Sequence, residues 1–259
     1  MTAVVSRISI APIKALGLTH PEAVELTPGG VRGDRRFWLV DEDGRLYNNK
    51  RDGPLVLIRP AWNEETHELT LTFPDGTVVG GAVELGEPVE IELYGRSHPS
   101  RAVLGPWQEA ISSYAGGSLR LLWSEAHATD RGATGGVVSL VSRGSLERLR
   151  EETGADRPVD GRRFRMLFEL DGVPAHAEDD WIGRSVRIGS AEIVFNGDVG
   201  RCVVTSHDPD TGVTDLDTLG TLARYRPEGR VEPLPLGVFG SVLSPGSVRV
   251  GDVASPSDH

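Results

Sequence analysis

Short apolar runs alternate along this chain with turn-forming clusters, and that punctuation leaves little room for long helices. In the first third Val4–Ile10, Ala23–Leu26, Phe37–Val40, Leu55–Arg59, Glu68–Phe73 and Val89–Leu93 read as strands. Pro28-Gly29-Gly30, Asp41-Glu42-Asp43-Gly44 and Pro74-Asp75-Gly76 divide them, and Asp75-Gly76 marks a hairpin. This spacing predicts a small barrel or sandwich. The 32 glycines and 17 prolines fit a strand-rich architecture better than a helical bundle.

Two or three helices interrupt the pattern. Pro106–Tyr114 has helical apolar spacing and ends at Gly116-Gly117, a plausible hinge between two units. A second helix is predicted from Ser142 to about Thr153 with Ser145 as N-cap, and a third over Leu216–Tyr225. Strands resume at Phe164–Leu170, Ser185–Ile188, Ala191–Phe195, Cys202–Ser206 and Ser247–Val250. The predicted fold is mainly β with a few helices, in two units: a small β-barrel-like or sandwich unit over residues 1–104, then a strand-rich unit over residues 105–259.

A net charge of −11 argues against nucleic acid as a partner, since phosphate binding needs an excess of Lys and Arg. An anionic ligand would need a local basic pocket. The N-terminus lacks a signal-peptide pattern and no stretch is apolar enough to span a bilayer, so a soluble, cytoplasmic protein without a membrane partner is expected. A single cysteine excludes an internal disulfide framework and any cysteine-only metal cluster.

That cysteine, Cys202, follows Arg201 at a predicted strand end. A thiolate is a soft metal ligand and a neighbouring cation favours it; the plainer reading is a small buried hydrophobe. In a regular strand Arg201 and Cys202 would face opposite ways, so the pairing requires the strand to end or twist there. Thr27–Arg36 combines flexible backbone with Arg32, Arg35 and Arg36, suited to gripping an anion, or simply a solvated turn. Lys14 stands at another strand end, where it is a cation for a ligand or a surface residue. The acidic run Glu178-Asp179-Asp180 beside His176 lacks zinc-motif spacing and reads as a rim that orients arginines. No nucleophile elbow, phosphate-binding P-loop or dinucleotide fingerprint is present.

Pro12-Ile13-Lys14, Gly33–Asp41, Arg163-Phe164-Arg165, Ala177–Trp181, Gly200–Thr205, Asp208–Gly212, Leu219–Arg226, Phe239-Gly240 and Pro245–Asp252 occur in an order that resembles the MOSC-domain proteins. The likeness is to the branch with an N-terminal β-barrel domain, which includes the amidoxime-reducing components and is similar to the C-terminal part of molybdenum cofactor sulfurases; it implies an N-terminal barrel domain over residues 1–104 and a MOSC-type barrel domain over residues 105–259. The resemblance implies a site for the molybdenum cofactor (molybdopterin), with Cys202 ligating the metal. It implies that Lys14, Arg35 or Arg36, and Arg165 hold the anionic cofactor, with Arg201, Thr134 and Ser139 as further contacts. Asp208 and Glu178 are the candidate proton-handling acids. Where relatives have Arg-Pro-Asn this chain has Arg165-Met166-Leu167.

The implied activity is reduction of N-hydroxylated small molecules, such as amidoximes or hydroxylaminopurines, with electrons from a separate ferredoxin-like or flavin reductase partner. Two other functions fit the same residues. One is a cofactor carrier or sulfur-transfer module without reductase activity, and the other is a MOSC-like fold that has lost the cofactor.

Overall fold

The computed structural model describes residues 2–93, 96–125 and 136–257. The fold is mainly β, and the described residues include the helices α1 (Trp107–Ala115), α2 (Arg143–Thr153) and α3 (Thr218–Tyr225). No helix among the described residues is long and apolar enough to cross a membrane.

Seven strands close a barrel, in the order Ala3–Ile8, Phe168–Asp171, Val138–Ser142, Pro235–Ser244, Ala191–Gly200, Ser185–Ile188 and Val253–Pro256. Its first strand comes from the N-terminus and closes the ring, paired with Phe168–Asp171 on one side and Val253–Pro256 on the other. Val138–Ser142 runs parallel to Phe168–Asp171, with α2 in the connection between them. Period-2 alternation explains the inside: Ala191, Ile193 and Phe195 are buried while Glu192, Val194 and Asn196 are not. They join Ile8, Leu140 and Phe168 in the barrel core.

The rest of the N-terminal half forms a five-stranded sheet, ordered Leu46–Tyr47, Phe37–Val40, Arg120–Ser124, Arg96–Leu104 and Glu84–Leu93, and a three-stranded sheet of Arg59–Asn63, Glu68–Thr72 and Val78–Ala82. They share a core with α1 through Phe37, Leu39, Leu55, Leu71, Trp107 and Ile111. A further small sheet pairs Ala23–Thr27 with Gly246–Arg249. It ties the N-terminal half to the barrel.

The expected hairpin is present, with Gly76 at φ 87° and the Thr77 N–H donating to Asp75 Oδ1 at 2.9 Å. Other expectations need correction. Leu55–Arg59 is not a strand: Pro54 starts a 3₁₀ turn over Gly53–Leu57, and the strand begins at Arg59. The N-cap of α2 is Ser142, whose Oγ accepts from the Ser145 N–H at 3.0 Å. Phe164–Leu170 is interrupted by a 3₁₀ turn at Gly161–Phe164 and a left-handed Arg165, so pairing starts only at Phe168. Cys202–Ser206 is likewise a 3₁₀ turn, Val203–Ser206, capped by Cys202.

Candidate functional site

A cleft of about 500 Å³ opens where one end of the barrel meets the N-terminal half. Four chain segments build it. After the first barrel strand, residues 11–15 run beside Phe37, and the Lys14 N–H donates to the Phe37 carbonyl at 2.9 Å. The turn before strand Phe37–Val40 is fastened to the same segment. Asp34 Oδ1 accepts the Ala11 N–H at 2.7 Å, and the Arg35 N–H donates to the Ala11 carbonyl at 2.7 Å. The third segment is Arg163–Leu167. The fourth is Val199–Thr205, where the barrel strand Ala191–Gly200 ends.

Because that strand stops at Gly200, Arg201 and Cys202 escape the two-faced alternation and both line the cleft. The geometric condition set by the sequence is met. Ala15 (φ 84°), Arg35 (φ 50°) and Arg165 (φ 52°) adopt left-handed backbone and line this same cleft. Each such residue costs about 1 kcal/mol, and strain of this kind concentrates at ligand sites.

Lys14, Arg35, Lys50, Arg163, Arg165 and Arg201 meet two carboxylates, Asp34 and Glu232, in the lining. A chain of net charge −11 thus presents a locally cationic cleft. Lys14 and Arg35 are both buried to 8% exposure, and Lys14 Nζ stands 5.8 Å above the Trp38 ring. Arg35 pairs with Asp34 and donates to the Arg165 carbonyl at 3.2 Å, linking the two halves. Ser139 lines the cleft and its Oγ accepts the Leu167 N–H at 3.0 Å.

Arg201 reaches the wall, but its guanidinium donates to the carbonyls of Leu236 (2.9 Å) and Phe164 (3.2 Å) and stacks over the Phe164 ring at 5.1 Å. It also meets Met166 Sδ at 3.0 Å, so Met166 helps seat this arginine. Arg163 is gripped from outside the cleft by Asp215, through bonds of 2.5 and 2.7 Å.

Three predicted site residues lie elsewhere. Arg36 points away, bound to Glu64 at 2.9 Å and stacked on Trp123 at 4.7 Å. Asp208 opens on an adjoining cleft of about 360 Å³, stands 3.5 Å from Arg163 and caps its own turn by accepting the Asp210 N–H. Glu178 is sealed inside the protein, where it accepts from Ser142 N (3.2 Å), Ser142 Oγ (2.9 Å) and Ser145 Oγ (2.6 Å). Burial pushes its carboxyl pKa up while the serine bonds oppose the shift. Thr134 lies outside the described residues. Sequence reasoning missed Asn48, Asn49, Lys50 and Glu232, which reach the cleft from loops with no motif of their own.

The acidic rim does orient arginines: Asp179 binds Arg226 at 2.7 Å and Asp180 lies 3.5 Å from Arg230. Beside it His176 packs 5.8 Å from the Tyr225 ring, with no hydrogen-bond partner for either ring nitrogen. Burial, aided by the charges of Arg226 and Arg148, lowers its pKa from 6.5 to about 4. Between those values the unfolded chain binds a proton that the folded chain refuses, so this histidine makes stability fall as pH drops from 6.5 towards 4. His176→Asn, which keeps a residue tolerant of the left-handed φ of 62°, is expected to flatten the fall in melting temperature over that window. An unchanged slope would contradict the assignment.

The chain thus carries a closed β-barrel with a cationic, thiol-bearing cleft at one end. Residues 2–98 match the MOSC N-terminal beta barrel domain and residues 127–255 match the MOSC domain, so the chain belongs to the MOSC family. It is 29% identical to mitochondrial amidoxime-reducing component 1 of Mus musculus, over 96% of this chain and 80% of that protein. It is 27% identical to mitochondrial amidoxime reducing component 2 of Bos taurus, over 96% of this chain and 81% of that protein. Molybdenum cofactor sulfurase 1 of Aedes aegypti is 27% identical over 84% of this chain but only 31% of its own length.

Proposed function

We propose that this protein binds the molybdenum cofactor and reduces N-hydroxylated small molecules such as amidoximes and hydroxylaminopurines. The observation that carries the reading is one soft sulfur, Cys202, in a cleft lined by Lys14, Arg35 and Arg165 within an acidic chain. The lining suits the group. A thiolate is a donor for a soft metal, and guanidinium and ammonium groups suit the phosphate and the anionic dithiolene. Gly30, also in the lining, packs closely on Val137: at its φ of 93° a Cβ would come within 3.1 Å of that side chain. The amidoxime-reducing names of the relatives support the substrate class.

Cys202 would ligate the metal, while Lys14, Arg35 and Arg165 would hold the anionic tail and Ser139 would border it. When bound, the cofactor supplies two-electron oxygen abstraction from an N–O bond. The chain's part is to fix that ligand between its two halves through the Arg35–Arg165 link and to balance its charge. Electrons come from a separate ferredoxin-like or flavin reductase. Met166 and Leu167 are buried just before the barrel strand Phe168–Asp171, and Met166 supports Arg201. Protein made in a host that synthesises the cofactor is expected to convert an amidoxime to the amidine with reduced viologen as donor. Metal-loaded protein that leaves both amidoximes and hydroxylaminopurines untouched would overturn the reading in favour of a carrier.

A further inference from the structure

The cleft beside Cys202 has little room to spare. Its volume is about 500 Å³, and the molybdenum cofactor, with fused pterin rings, a dithiolene and a phosphate, is itself of the size that fills pockets of about 300–1,000 Å³. A substrate needs to bring only its N–O group to the metal, so the rest of the molecule requires another place. The adjoining cleft of about 360 Å³ offers one. The two clefts share Asn49, Arg163, Arg165 and Val204 as lining residues, and Val204 stands two residues after Cys202, at most about 7 Å along the chain.

The chemistry of this second cleft differs from that of the first. Arg162 donates to Asp160 at 2.8 Å and to Asp210 at 2.8 and 2.7 Å, while Arg163 is gripped by Asp215 and has Asp208 3.5 Å away. Four carboxylates thus answer the four arginines of the lining, Arg59, Arg162, Arg163 and Arg165, and the cleft is close to neutral. Leu18, Leu57 and Phe73 give it an apolar wall. His20 and His207 also line it; burial lowers the pKa of each below 6.5, so at neutral pH each ring is uncharged and offers one donor and one acceptor nitrogen. Asn49 is only 5% exposed and its Nδ2 has no hydrogen-bond partner. A buried amide left this way is costly, and an acceptor atom on a ligand would satisfy it. Such a cleft suits a flat, uncharged heteroaromatic ring better than an anion.

We propose that the adjoining cleft is the site for the body of the substrate, taking the heteroaromatic ring of an N-hydroxylated base with Asn49 donating to the ring edge, while the N–O group reaches past Val204 towards Cys202. This inference rests on the reductase reading above. The decisive comparison is wild type, Asn49→Leu and Leu57→Trp, purified with cofactor and assayed for molybdenum per chain, for reduction of 6-hydroxylaminopurine and of benzamidoxime, and for equilibrium binding of adenine, the amino product of the first. Asn49→Leu keeps the volume and removes the donor, so KM for 6-hydroxylaminopurine is expected to rise about tenfold, the effect of one lost hydrogen bond, and KM for benzamidoxime, whose ring carries no edge acceptor, to rise several-fold less. Leu57 lines only the adjoining cleft, and tryptophan there fills it: KM for both substrates is expected to rise at least about tenfold, adenine binding to weaken to match, and molybdenum per chain to stay at the wild-type level. Wild-type KM for both substrates in folded Leu57→Trp overturns the proposal, and if that variant does not fold, an unchanged KM for 6-hydroxylaminopurine in Asn49→Leu does so. Loss of molybdenum from Asn49→Leu would make Asn49 a cofactor-holding residue and overturn its role here. A metal-loaded wild type that reduces nothing overturns the reductase reading; adenine bound by that protein and lost in both variants would still support the ring site.

Discussion

Cys202→Ala is expected to lower amidoxime reduction by about a thousandfold or more, a loss of about 4 kcal/mol in transition-state stabilisation. The fold should survive. Cys202 is half-exposed at the cleft, and the bonds that shape its turn, Thr205 N–H and Thr205 Oγ1 to the Cys202 carbonyl, are made to backbone. Unfolding free energy should change by less than about 1 kcal/mol, so chemical denaturation and turnover measured on one preparation separate the two effects. Activity within tenfold of wild type would remove the cysteine from the chemistry. Serine in place of alanine should not restore the rate, because a hydroxyl is a much harder donor than a thiolate.

Glu178→Ala is expected to do the reverse, removing about 3 kcal/mol of stability without belonging to the cleft. Three donors converge on its carboxylate, from Ser142 N, Ser142 Oγ and Ser145 Oγ, in a fully buried setting. Alanine leaves the Ser142 N–H and the Ser145 hydroxyl without this acceptor, with Ser142 Oγ keeping only Ser145 Oγ at 2.9 Å, and opens a void at the N-terminus of α2, where Ser142 is the cap. Glu178→Gln keeps the volume and one carbonyl oxygen, so its loss should be smaller. Urea unfolding of the variants checks this; a loss under 1 kcal/mol for alanine would show that the serines find other partners.

Much of the fold was legible where one signal dominates. Phe37–Val40 and Ser185–Ile188 are strands with the bounds read from sequence, and Asp75-Gly76 turns the hairpin as expected. The misreadings cluster where apolar residues serve turns. Cys202–Ser206 carries strand-like side chains and Phe164 opens the strand read over Phe164–Leu170, yet the backbone forms 3₁₀ turns at Val203–Ser206 and Gly161–Phe164. Pro235–Ser244 went unnoticed as a strand, since its proline and glycines mimic loop composition, although it is a barrel stave paired on both sides.

The candidate site was legible in part for a similar reason. Lys14, Arg35, Arg165 and Cys202 sit in recognisable local runs and meet in one cleft. Local runs do not reveal direction, however. Arg35 and Arg36 are adjacent, but the left-handed turn at Arg35 sends one into the cleft and the other onto Trp123 and Glu64. Glu178 looked functional for its charge and is structural because its surroundings are closed. Glu232 was invisible because its partner, Gly200, lies 32 residues away in sequence.

The most direct test of the account is the molybdenum and oxidised-pterin content of wild-type protein purified from a host that makes the cofactor. The account predicts close to one molybdenum and one pterin per chain, held through gel filtration. Neither metal nor pterin in protein whose folding is verified would contradict it, and the cationic cleft around Cys202 would then need another ligand.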